Sequence, residues 1–388
     1  MCPHKGLRWC HGSGTEPCAV ELGENELMML IRSSTDCFWK TYSHDGGNTW
    51  TQPEPSTFYG TDTTAFLLRL NDGRILAFWN NTKPLSQPNH NATKPAVQNG
   101  VKTGRGENAF TNRDAAHAAI SEDGGKTWIG YREILLNGIR NNADFRYCAE
   151  DRNTRDKSVH QFQAWELPYN KVLVSVGQNT ASARLVVFDV GWLYETSREN
   201  DLMSGLRDLS THTFVKSISD CYFDKVGNGH CAWNRAYSAY MMPDYEDGMS
   251  EVLSISKHSD DRLLHEIGGA VWNFPMSRKG RVTVRMKIEE KQARITLSDR
   301  WYNACDPYAA VLSPFWFELD ASDLNGGYTD VVIDYDVDAG RAAVSLDGEH
   351  FFDVEMRMPC ATGISYLLLQ CATDGDSKGF TVKRMSKQ

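Results

Sequence analysis

The chain has 388 residues, 41% of them hydrophobic and 23% charged, which excludes an intrinsically disordered protein and leaves room for two domains. Lys and Arg total 41 against 50 Asp and Glu, and the resulting charge of -9 disfavours nucleic acid or an anionic membrane surface as partner. No apolar run approaches the roughly 20 residues that span a bilayer, and the opening MCPHKGLRWCHGSG lacks the apolar stretch of a secretory signal. The expectation is a soluble protein whose compartment is unassigned.

At the start of the chain Cys2, His4, Cys10 and His11 offer zinc-ligand chemistry, but their spacing fits no common site. The ten cysteines contain no CxxC pair, and most sit in apolar strand patterns where a buried thiol is the ordinary state. Strands are predicted at Cys18–Leu22, Glu26–Arg32, Cys37–Ser43, Thr64–Leu70, Ile75–Asn80 and Ala115–Ser121. The pattern continues at Val159–Leu167, Lys171–Gly177 and Arg184–Val190. Each run is short, rich in Val, Ile, Leu, Phe or Trp, and closed by Gly, Asn or Asp. Residues 190–209 hold the one stretch suited to a short helix and read as a connector. Asn80-Asn81-Thr82 and Asn91-Ala92-Thr93 match the N-glycosylation pattern, which matters only in a secreted protein. Gly104-Arg105-Gly106 is too short to cradle a phosphate, and no cofactor is expected.

An internal repeat organises this half. Ser43-His44-Asp45-Gly46-Gly47-Asn48-Thr49-Trp50 recurs as Ser121-Glu122-Asp123-Gly124-Gly125-Lys126-Thr127-Trp128. The common pattern, Ser-x-Asp-x-Gly-x-Thr-Trp, follows a strand each time. It predicts a hairpin lock, with the Asp carboxylate accepting backbone N–H bonds across a Gly-Gly turn and the Trp folding back beside the strand. Ser345-Leu346-Asp347-Gly348 is a weak echo without Thr and Trp, and reads as an ordinary Asp-Gly hairpin.

From about residue 218 the texture changes to long alternating strands: Arg281–Ile288, Arg294–Ser298, Val331–Val337, Ala342–Leu346, Gly363–Gln370 and Gly379–Arg384. Alternation over such lengths predicts a β-sandwich of jelly-roll type. Trp272, Trp301, Tyr302 and Trp316 serve as sugar-stacking platforms if exposed and as core if buried. Asp299, Asn303 and Asp306 carry oxygens of the kind calcium takes, though nothing in their spacing demands it.

The paired Ser-x-Asp-x-Gly-x-Thr-Trp turns resemble the Asp boxes, or BNR repeats, of the sialidase (neuraminidase) superfamily. Glu16-Pro17-Cys18-Ala19-Val20-Glu21-Leu22 with Leu27–Arg32 resembles the blade that carries a catalytic glutamate and one of three arginines. Asn112-Arg113-Asp114 sits where those enzymes place another arginine. The resemblance covers about residues 14–195. It implies an all-β chain, with a partial sialidase-like β-propeller of about three blades (15–56, 57–135 and 158–217) followed by a concanavalin-like β-sandwich. The domains are expected at 1–210 and 211–388. Propellers close with typically four to eight blades, so the resemblance also implies absent N-terminal blades, and a homo-oligomer is one way of covering the open sheet edges.

By the same resemblance Arg32 and Arg113 are the guanidinium clamps for a sialic-acid carboxylate, which Arg binds bidentately better than Lys can. Glu16 is the glutamate that serves the nucleophile as base. Retaining sialidases use a Tyr nucleophile. The strand entry corresponding to it, Ser158-Val159-His160-Gln161-Phe162, has His160 and Gln161 in its place, and Tyr237 in Asn234-Arg235-Ala236-Tyr237 is an alternative phenol. The implied activity is exo-acting glycoside hydrolysis of a terminal acidic sugar, with catalytic Glu16 and His160 and substrate-binding Arg32, Arg113 and Gln161. The alternatives are a non-catalytic carbohydrate-binding protein, or a propeller lyase or glycosidase in which His160 is general base on a uronic-acid glycan. The charged run Asp144, Arg146, Arg155, Asp156 and Lys157 is expected to line the channel mouth.

Overall fold

The computed structural model describes residues 15–33, 35–60, 63–83, 85–86, 97–98, 101–102, 109–110, 113–136, 158–177, 183–214, 235–246, 248, 250–260, 263 and 265–388. The described residues fall into two compact units, one running to Tyr194 and the other from Glu195 onward. Cys2, His4, Cys10 and His11, the charged run from Asp144 to Lys157, and the Asn91 glycosylation pattern lie outside the described residues. No helix of the described residues is long and apolar enough to cross a membrane.

Among the described residues, the first unit is built on three antiparallel meanders, with two two-stranded ribbons between Leu85 and Phe110. Thr15–Gly23, Glu26–Arg32, Cys37–Ser43 and Glu54–Tyr59 form the first sheet in chain order. Phe66–Arg69, Ile75–Trp79, Ala115–Ser121 and Ile129–Leu136 form the second, and Gln163–Leu167, Lys171–Val176 and Arg184–Asp189 the third. The leading strands lie side by side: Leu67 N donates to Cys18 Sγ at 3.2 Å, and Asn71 N donates to the Glu166 carboxylate at 2.7 Å. That is blade-by-blade packing about the leading strands, and Val174, Val176, Phe78, Ile120 and Leu193 belong to the apolar layer it buries.

Both Asp boxes form the lock that their sequence predicts, almost superimposably in their bonding. Ser43 Oγ donates to Asp45 Oδ1 at 2.8 Å, Thr49 N donates to the same oxygen at 2.8 Å, and Thr49 Oγ1 donates to Asp45 Oδ2 at 2.6 Å. The corresponding Ser121, Thr127 N and Thr127 Oγ1 bonds to Asp123 measure 2.8, 2.8 and 2.6 Å. Each Trp closes the turn by donating its indole N–H to a glycine carbonyl, Trp50 to Gly47 at 3.1 Å and Trp128 to Gly125 at 3.0 Å. The Thr49 hydroxyl and amide, together with Ser43, hold the Asp45 carboxyl down at about 2. A folded value below the unfolded one places the contribution of this lock above the ordinary Asp range, to be lost as pH falls through about 2.

In the second unit, two sheets enclose one core. The larger runs Ala239–Pro243, Glu251–Lys257, Ser377–Lys387, Lys279–Ile288, Thr329–Asp336, Arg341–Leu346, Glu349–Glu355, with Arg198–Asn200 also pairing Ser377–Lys387. The smaller runs Leu209–Ser210, Gly268–Ser277, Ile364–Cys371, Gln292–Ser298, Phe315–Asp320. Alternate residues such as Val282, Val284 and Met286 face Ile295, Leu297, Leu367 and Leu369 in a single cluster. The expected fold class is thus the one observed: all-β, with about three propeller-like blades and then a sandwich. The Asp347-Gly348 echo is a plain two-residue hairpin, with φ of +49° and +89° at its centre.

Two local expectations change. The connector at 190–209 holds no longer helix than a 3-10 turn, Val190–Tyr194, whose Val190 and Leu193 are drawn into the blade core, and from Arg198–Asn200 on it supplies short strands to the sandwich. The strand expected from Val159 begins at Gln163, because Gln161 has a φ of +61° and breaks the extended run.

On the outer face of the smaller sheet, residues 299–314 fold back as a cover. Gln370 Nε2 donates to the Ala304 and Asp306 carbonyls, each at 2.9 Å. Trp301 and Tyr302 are buried there, and Trp272 is buried in the core, so three of the four candidate sugar-stacking aromatics are packing residues. Trp316 is partly buried, with the Arg357 guanidinium 4.4 Å over its ring.

Candidate functional site

Register places every candidate residue of the first unit at one end of its sheets. Thr15 pairs Arg32, so the start of the first strand and the end of the second meet there. In the second sheet Phe66 pairs Phe78 and Trp79 pairs His117, which brings Thr63 and Thr64, the segment Asn80–Thr82, and Arg113 with Asp114 to the same kind of end. In the third sheet Gln163 pairs Ser175, so Ser158–His160 enters beside Gly177. The Lys83–Asp36 ion pair at 2.6 Å ties this end of the second sheet to the first. The Asp boxes follow Ser43 and Ser121, and Ser121 pairs Ile75, so they occupy the opposite end.

Two groupings emerge from the predicted residues. Glu16 stands at a β-bulge between Thr15 and Cys18 with a φ of +46°, and its carboxylate forms an ion pair with the Arg32 guanidinium. Bulges re-aim side chains, and here the bulge sets a half-exposed Glu against a largely buried Arg. The second grouping joins Arg113 to the His160 entry: Val159 N donates to the Arg113 carbonyl at 2.7 Å, and Gly177 N donates to the His160 carbonyl at 2.7 Å. His160 is fully buried, with Nδ1 at 2.7 Å from Ser158 Oγ. Gln161 is exposed.

Around Arg113 and His160 lies a buried polar layer that sequence reading did not identify: Thr63, Asn80, Asn81, Thr82, Asp114 and His117. Asn80, Asn81 and Thr82 drew notice only as a glycosylation pattern, yet all three are fully buried. The usable signal was three polar residues continuing an apolar strand that is buried throughout, Ile75–Trp79. His117 Nδ1 accepts the Asn81 N–H at 3.0 Å, and burial lowers its imidazole to about 3, so it is neutral across ordinary pH.

That depression has a sign. A folded value below the unfolded 6.5 means the unfolded chain binds the extra proton first. The stability this histidine shields is therefore whole above about 6.5 and falls away as pH drops toward about 3. A His117→Gln variant is expected to flatten the acid limb of a urea-midpoint-versus-pH curve for the first unit; an unchanged slope between pH 6.5 and pH 4 would refute this.

The residues considered for calcium are committed elsewhere. Asp306 Oδ1 accepts Tyr308 N at 2.8 Å, Asn303 Oδ1 accepts Cys305 N at 3.1 Å, and Asp299 Oδ1 accepts Arg300 Nε at 3.1 Å. No cluster of three His, Cys, Asp or Glu side chains suited to a metal occurs among the described residues. Tyr237 lies in the Arg235–Tyr237 strand of the second unit, where its backbone pairs His212.

The sequence profile described as "BNR repeat-like domain" matches residues 5–161. No curated protein matches the chain by sequence. Among solved structures, a sialidase is 12% identical over 97% of this chain and 32% of its own, with a TM-score of 0.34. A Trypanosoma rangeli sialidase in complex with sialic acid is 12% identical over 96% of this chain and 60% of its own, TM-score 0.29. A glycoside hydrolase family 16 endo-glucanase from Bacteroides ovatus is 9% identical over 49% of this chain and 99% of its own, TM-score 0.30. The chain spans about a third of the length of the first of these and three fifths of the second. The profile match contains both locked Asp-box turns, and residues 5–161 are accordingly similar to a BNR repeat-like domain.

Proposed function

We propose that this is a carbohydrate-active protein of the sialidase kind, a glycoside hydrolase that takes a terminal acidic sugar such as sialic acid. The site is the sheet end opposite the Asp boxes. One observation carries the reading: Glu16, Arg32, Arg113 and His160, from four different strand ends, share the kind of sheet end that the polar layer occupies. The BNR repeat-like match supports it. In this reading the guanidiniums of Arg32 and Arg113 hold the sugar carboxylate, Glu16 is the carboxylate base beside them, and His160 moves a proton with Ser158 fixing its Nδ1. Gln161, exposed at its positive φ, hydrogen-bonds the sugar. The burial of Arg113 and His160 excludes water and so strengthens charge interactions made there.

The test is turnover of an aryl sialoside and an aryl uronide by the purified chain. Arg113→Ala is expected to lower kcat/KM by about 100-fold or more, the loss of a charge-assisted pair of about 3 kcal/mol. Equal rates for Arg113→Ala and the parent chain would remove Arg113 from the site. A binding-only reading has one observation in its favour, since the Glu16 carboxylate is engaged by Arg32. Retained affinity for the sialoside with no turnover selects that reading.

A further inference from the structure

Asn80 belongs to the buried polar layer. It follows the Ile75–Trp79 strand, is fully buried, and uses both protons of its carboxamide inside the protein. Nδ2 donates to the Ala115 carbonyl at 2.7 Å and to the Val159 carbonyl at 2.8 Å. Ala115 lies two residues beyond Arg113, and Val159 immediately precedes His160. Val159 N returns a bond to the Arg113 carbonyl at 2.7 Å, which closes a ring through both segments.

The register shows why a side chain is needed at this point. Pairing between Ile75–Trp79 and Ala115–Ser121 ends with Trp79 opposite His117, so the ladder has stopped before Ala115. Beyond it, the carboxamide takes over as donor to the second sheet and to the entry of the third. Two carbonyl partners fix which atom is nitrogen, because only the NH2 end can donate twice. Asp has no such protons, Ser has one, and Gln is longer by a methylene.

We infer that Asn80 is the positioning residue of this site, holding the backbone entries of Arg113 and His160 at a fixed separation; the inference rests on the reading of those two residues as site residues. It acts through backbone, not on a substrate. It also removes the Asn80-Asn81-Thr82 pattern from the glycosylation sites of the folded chain, because the nitrogen a glycan would occupy is buried and doubly bonded.

The experiment compares the full chain with Asn80→Ser and Asn80→Leu by amide hydrogen exchange, histidine ring NMR and aryl-sialoside kinetics. Asn273→Ser is the control, since Asn273 Nδ2 donates to the Ser365 carbonyl at 3.1 Å in the second unit. At Asn80 the Val159 amide is expected to exchange at least about tenfold faster relative to most amides of its unit. The His160 ring resonances move, and kcat falls by about 10–100-fold with a smaller change in KM. The control leaves all three readouts at the parent values. A general loss of melting temperature with Val159 protection and His160 resonances unchanged overturns the inference. A parent chain that hydrolyses no sialoside defeats the proposed activity, while exchange and ring NMR still decide the role of Asn80. Should Asn80→Leu fail to fold, Asn80→Ser supplies the comparison.

Discussion

Gly379→Ala is expected to lower the urea midpoint of the second unit far more than Gly348→Ala does. Both glycines have positive φ, +68° and +89°, so each replacement carries a backbone cost of about 1–2 kcal/mol. The surroundings differ. Around Gly348 an added Cβ meets nothing within 4 Å, whereas at Gly379 it overlaps the Ile255 carbonyl oxygen and comes within 3.1 Å of Ser256 Cα. Backbone cannot swing aside as a side chain can. The Gly379 carbonyl is meanwhile held by Glu289 N at 2.8 Å and Glu290 N at 3.0 Å. The combined cost at Gly379 is about 2–5 kcal/mol, with overpacking added to the φ term. Similar midpoints for the two variants, followed by tryptophan fluorescence, would show that the sheet gives way there.

Trp79→Ala should cost about 3–5 kcal/mol in the first unit, the range for removing a buried large aromatic side chain. Trp79 is buried at the centre of an aromatic group, with ring centroids 4.7 Å from Phe58, 5.2 Å from Tyr131 and 5.8 Å from His117. The first two contacts are edge-on, at 78° and 88°, the geometry in which aromatic pairs gain beyond their area. Phe58 also meets Trp128 of the second Asp box at 4.9 Å, so the cavity would loosen that lock as well. Trp79→Phe is the informative companion. The Trp79 indole N–H has no hydrogen-bond partner among the described residues, so its removal costs packing alone, about 1–2 kcal/mol. Indistinguishable denaturation curves for Ala and Phe at this position would show that the aromatic group collapses around the gap.

What the sequence disclosed was what is local. Every bond of an Asp box lies within eight residues, so the pattern could be read without any knowledge of neighbouring strands. Glu26–Arg32, Cys37–Ser43 and Ala115–Ser121 were legible to the residue because turn residues bound each one. The candidate site was legible only in part. Glu16, Arg32, Arg113 and His160 are candidates by resemblance to a family pattern, and register places them at the same kind of sheet end. Asn80 and His117 were not found, because their roles are set by segments far along the chain, Val159 in one case and Asn81 in the other. The aromatics of the sandwich show the same limit. Trp301 and Trp316 read alike in sequence, and only the cover formed by 299–314 separates the buried ring from the partly open one.

The strand Ser377–Lys387 lies inside the larger sheet, flanked by Glu251–Lys257 and Lys279–Ile288, and Arg198, early in that unit's sequence, pairs Lys387 near its end. During synthesis the blade meanders pair with what has just emerged from the ribosome, so they are able to assemble while elongation continues. The sandwich has no such freedom. Until Ser377–Lys387 has emerged, Glu251–Lys257 and Lys279–Ile288 each keep an unpaired edge, and nascent chains stalled before that point will call on chaperones to keep those edges from one another.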